Sequence, residues 1–90
     1  MSAFTHGMNV EEVNNLGRTL KEQASAIQTM IGHLDGAISG TTWVGPDADQ
    51  FKGQWWPEHK QHLQAVAQQL DGFGQSAMNN ASDQVSASGH

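Results

Sequence analysis

Cysteine and tyrosine are both missing from this chain of 90 residues, and only four side chains are basic. Without cysteine there is neither a disulfide framework nor a thiolate metal site, and the redox compartment stays open. Arg18, Lys21, Lys52 and Lys60 are scattered and, against nine acidic residues, leave a formal charge of -5. No basic stripe exists to track phosphates, so nucleic acid is not expected as a ligand. No run approaches the roughly 18 apolar residues of a spanning helix, and acidic or neutral faces do not suit a membrane-active amphipathic peptide. The first ten residues hold neither a basic region nor a continuous apolar stretch, so neither membrane insertion nor a cleavable secretory signal is expected. Catalytic patterns are absent too. Ser25, Ser39 and Ser76 lack an elbow motif, the carboxylates are spread out, and no glycine-rich loop follows a strand. The sequence predicts no enzyme and no cofactor.

What is present is helical periodicity. A helix start is marked by Asn9 as N-cap, Glu12 three residues later, and Met8 with Val13 in the two staple positions. From there Val10, Val13, Gly17, Leu20, Ala24, Ile27, Ile31, Leu34 and Ile38 recur at steps of three and four, a seam of about four heptads. Leu16, Met30 and Ala37 widen the stripe, which implies more than one neighbour. Gly40 is a natural stop. At about 1.5 Å per residue the segment would extend roughly 45 Å. That exceeds the width of a 90-residue globule, so an elongated antiparallel arrangement is expected.

After the connection 40–45, Pro46 suits the first helical position, and Asp47 and Asp49 place negative charge at the positive end of the helix dipole. Ala48, Phe51, Trp55, His59, Leu63, Val66, Leu70, Phe73 and Ala77 continue at steps of three and four, giving a returning arm with one apolar face. Trp55 and Trp56 point about 100° apart, so one can fill the seam while the other faces a second subunit or solvent. Pro57 removes a backbone donor and predicts a kink near Gly53 to Pro57. Gly72 and Gly74 are expected to weaken the later turns, and the Ser-, Asn- and Gly-rich stretch from Asn79 to fray, with a flexible tail over 81–90. The fold class is thus all-α: one domain over 1–90, an antiparallel hairpin of helices at about 10–39 and 46–80. Two helices alone enclose little core at this size, so a partner is expected. The hairpin or dimer core is assigned to Leu20, Ile27, Ile31, Leu34, Ile38, Phe51, Trp55, Leu63, Val66, Leu70 and Phe73.

The stretch TTWVGPDADQFKGQWW, with Trp43-Val44-Gly45 in the turn between two long amphipathic helices, resembles the WXG-hundred family of type VII (ESX) secretion, and its GPDADQF wording is similar to actinobacterial members. The resemblance spans nearly the whole chain. It implies a hairpin that dimerises into an antiparallel four-helix bundle with another WXG-type hairpin, as homodimer or paralogous heterodimer, or docks on a larger effector. It also implies recognition by a type VII secretion ATPase, a cytoplasmic stage, and secretion without a cleavable signal peptide. Trp43, Gly45, Pro46 and Asp47 then become the turn motif and candidate export-recognition site. Trp43 fits either a recognition element or a plug closing the hairpin end, while Gly45 permits the tight turn into Pro46. Many family pairs also carry, after the second helix, a Tyr followed four residues later by Asp or Glu. Here Asn79 and Asp83 keep the acidic spacing without the ring, so a partner is expected to supply that motif.

His59 and His62, three apart, could approach one metal from a single helix face, but no carboxylate or thiolate completes a recognisable spacing and no metal is expected. By register His59 is expected to be partly buried in the seam, where its protonation would weaken the fold, and His62 to be a solvated neighbour.

Overall fold

The computed structural model describes residues 4, 5 and 7–88, and the chain forms a thin helical hairpin of 67 × 16 × 15 Å. A short antiparallel ribbon, β1 (Phe4–Thr5) with β2 (Met8–Asn9), leads into α1 (Val10–Gly40). The returning arm is one continuous rod made of α2 (Pro46–Gln50), a single π-helical turn (Phe51–Trp55) and α3 (Trp56–Ser88). Asn9 caps α1, its side-chain oxygen accepting the Glu12 amide at 3.1 Å. At the other end the Thr41 hydroxyl donates to the carbonyl of Ala37 at 2.6 Å, and the Thr41 carbonyl accepts from Lys52 Nζ at 2.6 Å.

The seam is built from small residues. Gly17, Ala24 and Ile31 are buried at intervals of seven along α1, and Ala67, Gly74 and Ala81 at intervals of seven along α3. Absent side chains let the backbones approach: a Cβ on Gly74 would lie 2.6 Å from the Gly17 carbonyl oxygen, and one on Gly17 would lie 2.8 Å from that of Gly74. Gly74 is thus a packing position, not only a weak point in the helix. Ile31, 3% exposed, and Trp56, 7% exposed, are the largest side chains that the seam encloses.

Pro57 explains the π-helical turn. In an α-helix the carbonyl of Gly53 would look for the amide that Pro57 lacks; instead the Trp56 amide bonds to the carbonyl of Phe51, five residues back. A π-turn adds one residue to the winding, and the seam absorbs it as Ala48, Lys52, Trp56 and Lys60, three successive steps of four. Beyond the insertion every seam position shifts, and Trp56 rather than Trp55 closes against α1. The expected kink is therefore an insertion inside an unbroken rod. Where fraying is expected from Asn79 the backbone is helical to Ser88, with Ala81 buried and Ser82 and Val85 lining an open cleft beside Val10 and Asn14 of α1; residues 89 and 90 of the expected tail lie outside the described residues.

No helix among the described residues is long and apolar enough to cross a membrane.

Candidate protein-docking face

The two arms leave two unlike sides along the seam. On one, Lys21 Nζ meets Asp71 Oδ1 at 3.1 Å. Twenty-one Å further along the helix at 1.5 Å per residue, Asp35 accepts from Lys60 and from the Trp56 indole N–H, the latter at 2.8 Å. Lys60 and Trp56 hold the Asp35 carboxyl below its ordinary value, the Lys60 hydrogen bond contributing most. Ser25, Gln28 and Gln68 fill the strip between.

On the opposite side the helical phase places Leu16, Leu20, Ile27, Met30 and Leu34 of α1 beside Trp55, His59, Val66, Leu70 and Phe73 of the returning arm. Several of these are large and open to solvent: Leu16, Met30, Leu34, Val66 and Trp55 are exposed, and Phe73 is 60% exposed. No Asp, Glu, Lys or Arg lies in this strip between Val13 and the turn, nor on the same side of α3 from Trp56 to Ala77.

At the turn end the strip runs into an aromatic ladder. Trp43 packs on Phe51 with ring centroids 5.6 Å apart, Phe51 stacks on Trp55 at 4.8 Å, and Trp55 on His59 at 4.2 Å. His62 follows, 6.2 Å from His59. Phe51, Trp55 and His59 follow one another at steps of four, the spacing that sets side chains side by side along a helix. Trp43, Asp47, Gln50, Phe51 and Trp55 line a cleft of about 400 Å³. Gly45 has φ of 122°, a conformation open to glycine, and its carbonyl accepts the Asp49 amide at 3.0 Å. Pro46 occupies the first turn beside the exposed Asp47. Trp43 closes the end of the hairpin through Phe51 and still presents its outer side, and its neighbour Val44 is 88% exposed.

Of the residues assigned to a core, Ile31 is buried; Leu20, Ile27, Ile38, Phe51, Leu63 and Leu70 are half-buried; Leu34, Trp55, Val66 and Phe73 are exposed. The exposed four all lie on the uncharged side. His59 is exposed as well, contrary to its expected burial. The reason is again the π-turn, which puts Lys60 into the seam in its place. The pairing of Asp35 with Lys60 and Trp56, and the roles of Gly74, Ala67 and Ala81, were missed from the sequence. The signal was there in small residues recurring at sevens on both arms.

Among the described residues no three His, Asp or Glu side chains gather as a metal site. No family model, curated protein or solved structure matches the chain.

Proposed function

We propose that this chain is a non-catalytic WXG-like hairpin of type VII secretion, a secreted substrate that acts by docking a second hairpin on its uncharged face. The observation that carries the reading is that face, where large apolar side chains stay open along the whole hairpin and end at Trp43. An exposed apolar strip of this extent marks an interaction site. Thirty helical residues span about 45 Å; with the 15 Å width of the hairpin the strip measures roughly 700 Å², on the order of the 800 Å² per partner of a standard interface. Pairing two such strips gives an antiparallel four-helix bundle with its large side chains inside. The turn motif of Trp43, Gly45, Pro46 and Asp47 would remain outside at the end of the rod, available to a secretion ATPase.

The absence of tyrosine favours a second reading, in which the chain is an escort or targeting module. Asn79 and Asp83 are both exposed and one helical turn apart, so the acidic group has a place but the ring has none. A paralogous hairpin or the helical head of a larger effector would then supply the missing half, with the pair forming in the cytoplasm before export. Release into the medium of a type VII-competent host tests both readings. The substrate reading expects release of the lone protein; the escort reading expects release only with a co-expressed partner whose tail motif is intact. Retention under every condition, with the partner exported normally, would remove the type VII assignment.

A further inference from the structure

The cleft at the turn end combines what the uncharged strip keeps apart, aromatic rings and a carboxylate. Trp43, Phe51 and Trp55 form its apolar wall, and Asp47 and Gln50 supply its polar groups. Phe51 and Trp55 each lie between two other rings of the row. Trp43 ends the row, tilted by 54° from Phe51, so one face of its indole has no ring against it, and the residue is 43% exposed.

The carboxylate in this cleft is left without a counter-charge. From Gly36 to Phe51 the only charged side chains are Asp47 and Asp49, and among the described residues neither carboxylate has an ion-pair partner. Lys52, the nearest cation in sequence, does not reach Asp47. It lines a separate hollow with Ala37, Ile38 and Thr41, and its ammonium is bonded to the Thr41 carbonyl at 2.6 Å. Both aspartates suit the start of a helix, where the backbone dipole favours negative charge. That role accounts for each of them equally, whereas only Asp47 shares a cleft with aromatic rings.

We propose that this cleft takes an arginine side chain of a partner protein, the guanidinium lying flat on the outer face of Trp43 and donating to the Asp47 carboxylate. The guanidinium is the one protein cation whose shape meets both demands. It is planar, so it stacks on an indole, and its fork of N–H donors matches a carboxylate. The side-chain oxygen of Gln50 can accept a further N–H of the same group. A lysine ammonium offers neither plane nor fork, and a neutral ring would cover the wall while leaving Asp47 without its counter-charge. The chain's overall charge of -5 draws a basic segment toward it. The proposal rests on the hairpin-docking reading in one respect, that the turn end stays outside the paired hairpins; it adds the chemistry which that end recognises.

The test is a titration of the isotope-labelled full chain with acetyl-Gly-Arg-Gly-amide, following the indole N–H resonances of its three tryptophans by NMR. The expected result is a saturable shift at Trp43 with a Kd on the order of a millimolar, the strength of one side chain on an open cleft. Trp56, whose indole N–H is bonded to Asp35, should not move. The same peptide with citrulline, which keeps the shape and loses the charge, should bind about tenfold more weakly, and the lysine peptide should fall between. Asp47→Asn should weaken the arginine peptide about threefold to fivefold, while Asp49→Asn binds it like the wild type, with circular dichroism confirming the helix in both. A lysine or citrulline peptide that binds as well as arginine overturns the proposal, as does an unmoved Trp43 or an Asp47→Asn variant with unchanged affinity. None of these outcomes depends on hairpin pairing, because the peptide is added to the chain by itself. Peptide binding by a chain that sediments alone beside every hairpin partner would remove the docking reading and keep the cleft; docking without peptide binding would do the reverse.

Discussion

The two sides of the seam show how a two-helix protein divides its work. One side is stitched by Lys21 with Asp71 and by Asp35 with Lys60 and Trp56, and it needs nothing more to be at home in water. The other has comparable length and no such partners, with Met30, Leu34, Val66 and Phe73 left open. Between them runs a seam so narrow that glycine and alanine fill most of it. The ion pairs are exposed and contribute little to stability individually; they fix which way each helix turns about its axis. Holding polar groups on one side leaves the large apolar groups on the other, where they are of use only to a second molecule.

If seam and open face differ as described, truncation should separate them. Ile31→Ala removes a buried side chain and should lower unfolding free energy by about 2 to 5 kcal/mol, read by urea denaturation. Leu34→Ala, one turn away and 37% exposed, should cost the lone chain less, about 1 to 2 kcal/mol. Equal losses would mean that the seam is wider than the small-residue line.

A finer contrast lies within α3. Gly74→Ala places a methyl against the Gly17 carbonyl and should destabilise by about 1 to 3 kcal/mol, as overpacking does. At Gly72 an added Cβ meets nothing within 4 Å. Gly72→Ala should therefore stabilise the helix, by at most about 1 kcal/mol from propensity alone. Opposite signs for two glycines two residues apart, measured as shifts in melting temperature, would locate the close approach; the same sign at both would place it elsewhere.

That contrast also shows what could be read in advance. The hairpin, the cap at Asn9, the turn at Gly45 and Pro46, and the α1 stripe follow from local rules of spacing and capping. The returning arm was harder, because a stripe drawn at steps of three and four from Ala48 passes through Trp55, His59, Val66 and Phe73. With the π-turn counted, it passes through Trp56, Lys60, Ala67 and Gly74 instead. Pro57 announced an irregularity, but not whether the chain would bend or take in a residue. Lys60 would have been refused a seam position on polarity alone; its long stem packs there while its ammonium reaches Asp35. Both stripes are apolar because one serves the seam and the other the open face, and sequence periodicity cannot say which is which when both are present. The ladder's steps of four from Phe51 to Trp55 to His59 were legible as spacing, but read as a buried seam rather than as an exposed row that Trp43 joins from the turn.

The open face can be tested without touching the seam. Phe73→Ser and Val66→Ser should change the unfolding free energy of the lone chain by only about 0.5 kcal/mol, as most exposed substitutions do. In sedimentation each should nevertheless shift the association equilibrium toward the single chain. If both variants associate like the wild type, this strip is not where hairpins meet.

The smallest effect belongs to the stitched side and appears only in acid. Lys60 first, and Trp56 next, hold the Asp35 carboxyl below the ordinary value of 3.8, against a weaker opposing contribution from desolvation. A carboxyl whose folded value is depressed binds its proton more readily when the chain is unfolded. Its contribution is therefore complete above pH 3.8 and is lost as pH falls from there through the folded value. Asp35→Asn keeps an oxygen for the Trp56 indole but offers Lys60 no charge. The variant should melt slightly below the wild type at pH 7, and the gap should close as pH falls below 3.8 because the wild type loses what the variant never had. Melting temperatures taken at half-unit intervals from pH 5 to pH 2 would show two curves converging. A gap of constant width down to pH 2 would mean that the carboxylate contributes through shape alone, and that Lys60 is held on this side by the packing of its stem rather than by Asp35.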